Sequence, residues 1–116
     1  VAVINLMARV FMKPLDCPFR GADALVEKAR QTTPVVLVDF HGEATSEKMA
    51  LGWYLSERAS CVWGTHTHVP TADARILDQH TGYQTDLGMT GPYDSVIGMS
   101  KEPVVEGFVK ATRNRF

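Results

Sequence analysis

The chain has 116 residues, 45% of them hydrophobic and 22% charged, with a formal net charge of −1. That length and mix fit one globular domain with a buried core and exclude a disordered or fibrous chain. Lys and Arg are dispersed, which leaves no basic footprint for duplex nucleic acid or an anionic membrane; an anionic ligand would need a local positive centre such as a metal. Two cysteines, Cys17 and Cys61, lie in separate segments without a CxxC pattern. They point to a reducing, cytoplasmic setting, and both read as small core residues.

The opening VAVINLMARVFMK is apolar, but Asn5 and Arg9 interrupt it, no basic stretch precedes it, and it is too short to span a bilayer. Its first eight residues predict a buried strand, and KPLDCPFRG with its two prolines an irregular connection. ADALVEKARQ places Ala22, Leu25, Val26 and Ala29 at helical spacing. PVVLVDF is a continuous apolar run of the kind found in strands covered on both faces. TSEKMALGWYLSER predicts a second helix, with Met49, Trp53 and Tyr54 on one side and Lys48, Glu57 and Arg58 on the other. Thr45 or Ser46 is available as its N-cap.

ASCVW predicts a short strand, and ARILD and GYQTD flank QHTG as a β-hairpin. LGMTGPYDSVIGMS is too broken by glycine and proline for a long element, with one helical turn expected at DSVIG. KEPVVEGFVKAT predicts a final helix from near Ser100, where Pro103 is tolerated in the first turn. The order β, α, β, α, β and then a hairpin predicts a layered α/β (α+β) domain with a mixed sheet. The lack of an initiator Met, and an ending just after a helical pattern, suggest part of a longer protein.

Chemistry concentrates in GTHTHVP. Residues i and i+2 of a strand share a face, so His66 and His68 are expected to emerge together at the end of an extended segment. Such a pair could serve two ions about 3.5–4 Å apart, or could be polar residues at a strand end. His41 adds a third imidazole where VVLVDF ends, and α/β sheets gather ligands beyond the carboxyl ends of their strands. Three histidines on two strand ends favour a metal cluster over three separately satisfied side chains. Asp39 could orient an imidazole or bond to backbone, and Glu43 could contact a ligand or open the next helix. His80 sits in an evident turn and is assigned to solvent. No acidic residue is placed to bridge two ions, no serine has a GxSxG setting, and neither cysteine has an electropositive context.

VDFHGEATSEK, GTHTHVPTADARIL and YQTDLGMTGPYDSVIGM, in this order, closely resemble the YmdB-like branch of the calcineurin-like metallophosphoesterases, and INLMARVFM resembles the same branch upstream. The resemblance runs through most of the chain. It implies a four-layer αββα sandwich whose strand-end loops carry two metal ions, iron or manganese, and hydrolyse phosphodiesters, cyclic nucleotides such as 2′,3′-cAMP among them. By the same match His41 corresponds to the family's first C-terminal histidine ligand, and His66 and His68 to the pair in its GxHxH-like block. His41 and His66 would then serve one ion and His68 the other. Thr90, Tyr93 and Asp94 are polar candidates for a substrate loop, or part of a glycine-rich turn at the sheet edge.

The family's N-terminal Asp ligand, bridging Glu, Asn ligand and Gly-Asn-His block with the catalytic histidine have no counterpart in this sequence, and its last strands are also missing. Residues 1–116 are thus expected to be the C-terminal part of one metallophosphoesterase domain. For the complete protein the resemblance implies that two ions neutralise the phosphate and lower the pKa of a bridging water to make hydroxide. The isolated chain is expected to be inactive, because three imidazoles without a bridging carboxylate hold two ions poorly. A non-catalytic scaffold or regulatory module, and a mononuclear three-histidine enzyme, stay open as alternatives, as does homo-oligomerisation.

Overall fold

A computed structural model describes residues 1–112. Strands β1 (Ala2–Met7), β2 (Val36–His41) and β3 (Cys61–Thr65) alternate with helices α1 (Pro18–Arg30) and α2 (Thr45–Tyr54). The hairpin β4 (Arg75–Leu77) and β5 (Thr81–Gln84) follows, and helix α3 (Lys101–Lys110) comes last. The five strands form one mixed sheet in the order β1-β2-β3-β5-β4, parallel except for the antiparallel β4–β5 pair. The expected α/β class, mixed sheet and hairpin are therefore present.

Strand register decides which side chains share a face. Ile4 lies opposite Val38 and Leu6 opposite Phe40, while Val38 lies opposite Val62 and Phe40 opposite Gly64. On this face Val36, Val38, Phe40 and Val62 are buried with Ala22 and Val26 of α1 and Leu51 and Leu55 of α2. Both crossover helices therefore cover the same side of the sheet, and each fully buried Val or Leu there contributes about 1.5–3 kcal/mol. The opposite face carries Asn5, Asp39 and Trp63 in one row and Met7, His41 and Thr65 in the next. Most of these side chains are only half-buried.

Several expectations are corrected. β1 is an edge strand rather than a buried one: Ile4 alone in it is buried, and Val3 is 68% exposed. β2 is covered on one face, so its apolar run still reads in alternation, with Leu37 and Asp39 half-buried between buried neighbours. α1 starts at Pro18, ahead of the expected start, because proline suits the first helical turn; Leu25 of its expected apolar stripe is exposed.

The faces of α2 match expectation at Met49, which packs against the core, and at Glu57, which is exposed, but not at Lys48, Trp53 and Tyr54. Lys48 is buried and Trp53 and Tyr54 are exposed, because the face turned to the sheet is the one shared by Lys48, Leu51, Gly52 and Leu55. Tyr54 instead donates its hydroxyl to Asp23, which also accepts from Arg58, and this clasps α2 to α1. Ala44, not Thr45 or Ser46, is the N-cap of α2, without a side-chain cap. Cys17 and Cys61 are half-buried free thiols outside the core cluster. DSVIG forms no helical turn; Val96 and Met99 pair in a tight reversal through Ile97 and Gly98, both at positive φ. α3 runs from an N-cap at Ser100 with Pro103 in its first turn, as expected.

Candidate metal centre

The parallel strands β2 and β3 end side by side, and their last residues, His41 and Thr65, are register partners. The chain does not continue as a strand beyond Thr65: His66 has φ 126° and His68 φ 67°. Positive φ at a non-glycine residue costs on the order of 1–3 kcal/mol and persists only where surrounding bonds enforce it. Asp86 enforces it here. Its Oδ2 accepts the Thr67 amide at 3.0 Å and its Oδ1 the Gly88 amide at 2.9 Å, and the Lys48 ammonium lies 3.0 Å from Oδ2. Burial pushes the Asp86 carboxyl up, but the Thr67 and Gly88 amides and then Lys48 outweigh it and hold the group below the usual carboxylate range.

The turn sends the two histidines of GTHTH to different partners, so they do not share a strand face as expected. His66 swings back to β2, where its Nδ1 lies 3.1 Å from Nε2 of His41, the rings edge to face at 84°. Its other nitrogen, Nε2, is 2.8 Å from Oε2 of Glu43. His68 turns to the later loop, with Nδ1 3.4 Å from the carbonyl oxygen of Ile97. Among the described residues Asp39 makes no direct hydrogen bond to an imidazole or to backbone. It accepts from Asn5 at 2.9 Å and from the Thr65 hydroxyl at 3.0 Å, and Thr65 Oγ1 is 3.1 Å from Nδ1 of His41. Asp39 therefore reaches His41 through Thr65.

Tyr93 lines a cleft of ≈ 320 Å³ beside His68, walled by Val69, Pro70, Met89 and Ile97. Thr90 is exposed and does not line that cleft, and Asp94 is engaged by Lys101 at 2.7 Å. His80 is exposed, as expected. A second cleft, of ≈ 730 Å³, is lined by Asp23, Arg30, Arg58 and neighbours and includes none of the histidines.

Thr65, Lys48, Asp86 and Gly64 are the residues that sequence reasoning missed. Lys48 could have been found, since Leu51 and Leu55 follow it at i+3 and i+7 on one helix face. Gly64 carried a weaker signal. A Cβ there would lie 1.8 Å from the Thr85 carbonyl oxygen, so only glycine lets the segment after β5 pass against β3.

The donor set bears on what the site can hold. Two nitrogens bound to one ion at about 2.0–2.1 Å, in octahedral or tetrahedral array, stand about 2.9–3.4 Å apart. The 3.1 Å between His41 Nε2 and His66 Nδ1 fits that spacing. Among the described residues no three His, Cys, Asp or Glu side chains gather around one point, so the two imidazoles by themselves do not make a complete metal site.

A mixed α/β sheet with an imidazole pair at its parallel strand ends defines the class: an α/β protein with a strand-end candidate metal site. Over residues 1–116 the sequence matches the model of the YmdB-like protein family, and the chain belongs to that family. It is 58% identical over 108 residues to a 2′,3′-cyclic-nucleotide 2′-phosphodiesterase of Bacillus subtilis, a match covering 93% of this chain and 41% of that protein. A crystal structure of a hypothetical protein from Thermus thermophilus superposes with TM-score 0.87 at 52% identity, over 98% of this chain and 44% of that one. A structure titled a novel phosphatase from Mycoplasma pneumoniae gives TM-score 0.81 at 37% identity, over 98% and 42%. The chain thus spans less than half the length of each of these relatives.

Proposed function

We propose that this chain carries the histidine ligands of a metal-dependent phosphodiesterase, His41 and His66 for one ion and His68 for a second, iron or manganese in either case. The observation that carries the reading is the 3.1 Å approach of His41 Nε2 to His66 Nδ1 at the ends of two parallel strands. Ions held there supply positive charge to a phosphodiester and acidify a water molecule for in-line displacement. The chain's own residues orient the imidazoles: Glu43 holds His66, the Ile97 carbonyl holds His68, and the Asp86 carboxylate holds the Thr67 amide between them.

The substrate is a small phosphodiester, a 2′,3′-cyclic nucleotide by analogy with the relative in Bacillus subtilis. The exposed ring of Tyr93 and the apolar cleft beside His68 offer a surface for its base, and Thr90 is a further polar candidate of the same loop. Asp94, paired with Lys101 at 2.7 Å on the surface, is the remaining polar candidate of that loop. Residues 1–116 would be the C-terminal part of one domain whose carboxylate ligands and catalytic histidine lie in other sequence. A cytoplasmic setting agrees with the free cysteines and with the lack, among the described residues, of any helix long and apolar enough to cross a membrane.

The test uses the protein as encoded, loaded with Mn²⁺, and follows hydrolysis of 2′,3′-cAMP and metal content together. His41→Ala and His66→Ala should each lower turnover at least about 100-fold and deplete bound metal. Full activity and full metal content in both variants would overturn the reading. The 116-residue chain alone should show little turnover of bis-p-nitrophenyl phosphate, and robust turnover that His66→Ala abolishes would contradict that part.

A further inference from the structure

We infer that Thr65, backed by Asp39, and Glu43 are positioning residues that lock the tautomers of His41 and His66, so that the two nitrogens facing each other both present lone pairs. The inference rests on the metal reading for its purpose, but its content concerns protons that can be observed without a metal.

Thr65 has one hydroxyl proton and two polar neighbours, Asp39 Oδ1 at 3.0 Å and His41 Nδ1 at 3.1 Å. An ionised carboxylate can only accept, and hydrogen bonds to charged acceptors are the stronger ones, so the hydroxyl donates to Asp39. The oxygen's lone pair is then left for His41, which must donate from Nδ1. Neutral imidazole carries one N–H, so Nε2 of His41 is bare.

The other ring is held from the opposite atom. Glu43 Oε2 lies 2.8 Å from His66 Nε2 and can only accept, so His66 carries its proton on Nε2 and its Nδ1 is bare. The outer bonds use different nitrogens on the two rings, Nδ1 on His41 and Nε2 on His66. The nitrogens this leaves without a proton, Nε2 of His41 and Nδ1 of His66, are the two that face each other at 3.1 Å. Two lone pairs at that separation repel unless a cation lies between them. Asn5 completes the arrangement: its amide donates to Asp39 Oδ2, which keeps the carboxylate turned so that Oδ1 faces Thr65.

The device is spread over three strands and the turn before α2. Asn5 comes from β1, Asp39 and His41 from β2, Thr65 from β3, and Glu43 from the turn before α2. In register, Asn5 pairs with Asp39 and His41 with Thr65, so the sheet itself sets these separations. Outer partners of this kind raise metal affinity about 10–100-fold in known sites.

The test is made on the protein as encoded, stripped of metal by chelation and labelled with ¹⁵N at histidine, with tautomers read from the ring-nitrogen shifts and affinity from Mn²⁺ dialysis. In the wild type, His41 should report Nδ1–H and His66 Nε2–H. Thr65→Val keeps the side-chain shape, removes the acceptor, and should move His41 toward Nε2–H with about a 10-fold or greater loss of Mn²⁺ affinity. Thr65→Ser restores the hydroxyl and should restore both readouts, which separates the lock from a general packing defect. Glu43→Leu should release His66 in the same way, and Glu43→Gln, which retains a carbonyl acceptor, should preserve the His66 tautomer.

An Nε2–H His41 in the wild type, or a His41 tautomer indifferent to Thr65→Val, overturns the inference. Locked tautomers in a wild-type protein that binds no Mn²⁺ would support the lock while overturning the metal reading. Tight Mn²⁺ binding with tautomers that ignore Thr65 and Glu43 would do the reverse.

Discussion

The ammonium of Lys48 on α2 lies 3.0 Å from the carboxylate of Asp86 after β5, and neither side chain has any exposure to solvent. The pair sits directly under the histidine turn, since Asp86 also accepts from the Thr67 amide and Lys48 Nζ lies 3.4 Å from the Thr65 carbonyl oxygen. Removing one partner strands the other as a buried charge, which costs about 3–5 kcal/mol. Lys48→Met and Asp86→Asn should each lose stability of that order in urea denaturation. A double variant should lose at least ~1 kcal/mol less than the sum. Additive losses would mean that the two charges do not depend on each other.

Acid should find the same pair. The folded Asp86 carboxyl is held below its ordinary value, so it contributes stability above the unfolded value of about 3.9, and that stability is lost as pH falls toward the lower folded value. The thermal midpoint should fall more steeply below about pH 4 in the wild type than in Asp86→Asn, because the amide has no proton to gain. Asp23 and Asp73 are also held low, by Tyr54 and Arg58 in the first case and by Thr71 and Thr85 against burial in the second. Both are intact in the variant, so the difference between the two curves isolates Asp86.

Two glycine substitutions should act with opposite sign. Gly64→Ala places a methyl 1.8 Å from a backbone carbonyl and 2.4 Å from Lys48 Cδ, a clash that rotamer change cannot relieve. A loss above about 4 kcal/mol, or failure to fold, is expected. Gly21→Ala in α1 meets nothing nearer than Leu6 Cδ2 at 3.7 Å and should gain about 0.5–1 kcal/mol from helix preference. Thermal melts of the two proteins check both, and a neutral Gly64→Ala would show that the Thr85 backbone yields.

Glu47 accepts from the amides of Arg9 at 3.0 and 3.2 Å and of Val10 at 2.9 Å, pinning the segment after β1 to the start of α2. Glu47→Ala leaves those amides to water and should cost about 1–3 kcal/mol. Limited proteolysis should then cut residues 8–16 faster than in the wild type. Unchanged cleavage would assign the ordering of that segment to other contacts.

Much of the fold was legible because it rests on local rules. The apolar runs at 36–41 and 61–65, the turn at 78–80 and the helix start after Ser100, with Pro103 in its first turn, each identify their element without reference to the rest of the chain. Burial was less legible. VAVINLM reads as a buried strand, yet β1 stands at the sheet edge, because apolarity does not say which neighbours a strand will have. Lys48 reads as solvated, yet it is buried, because its partner Asp86 is 38 residues away.

The sequence by itself determined the α/β order of elements, the family, and the placing of His41 and His66 at strand ends. Only the tertiary structure decided how they meet. Strand spacing predicted that His66 and His68 share a face, but the carboxylate of Asp86 draws the Thr67 amide inward, the backbone turns through positive φ, and His66 goes to His41 while His68 goes to Ile97. A two-residue periodicity holds only while the ladder lasts, and here a buried charge ends the ladder one residue before the first histidine of the motif.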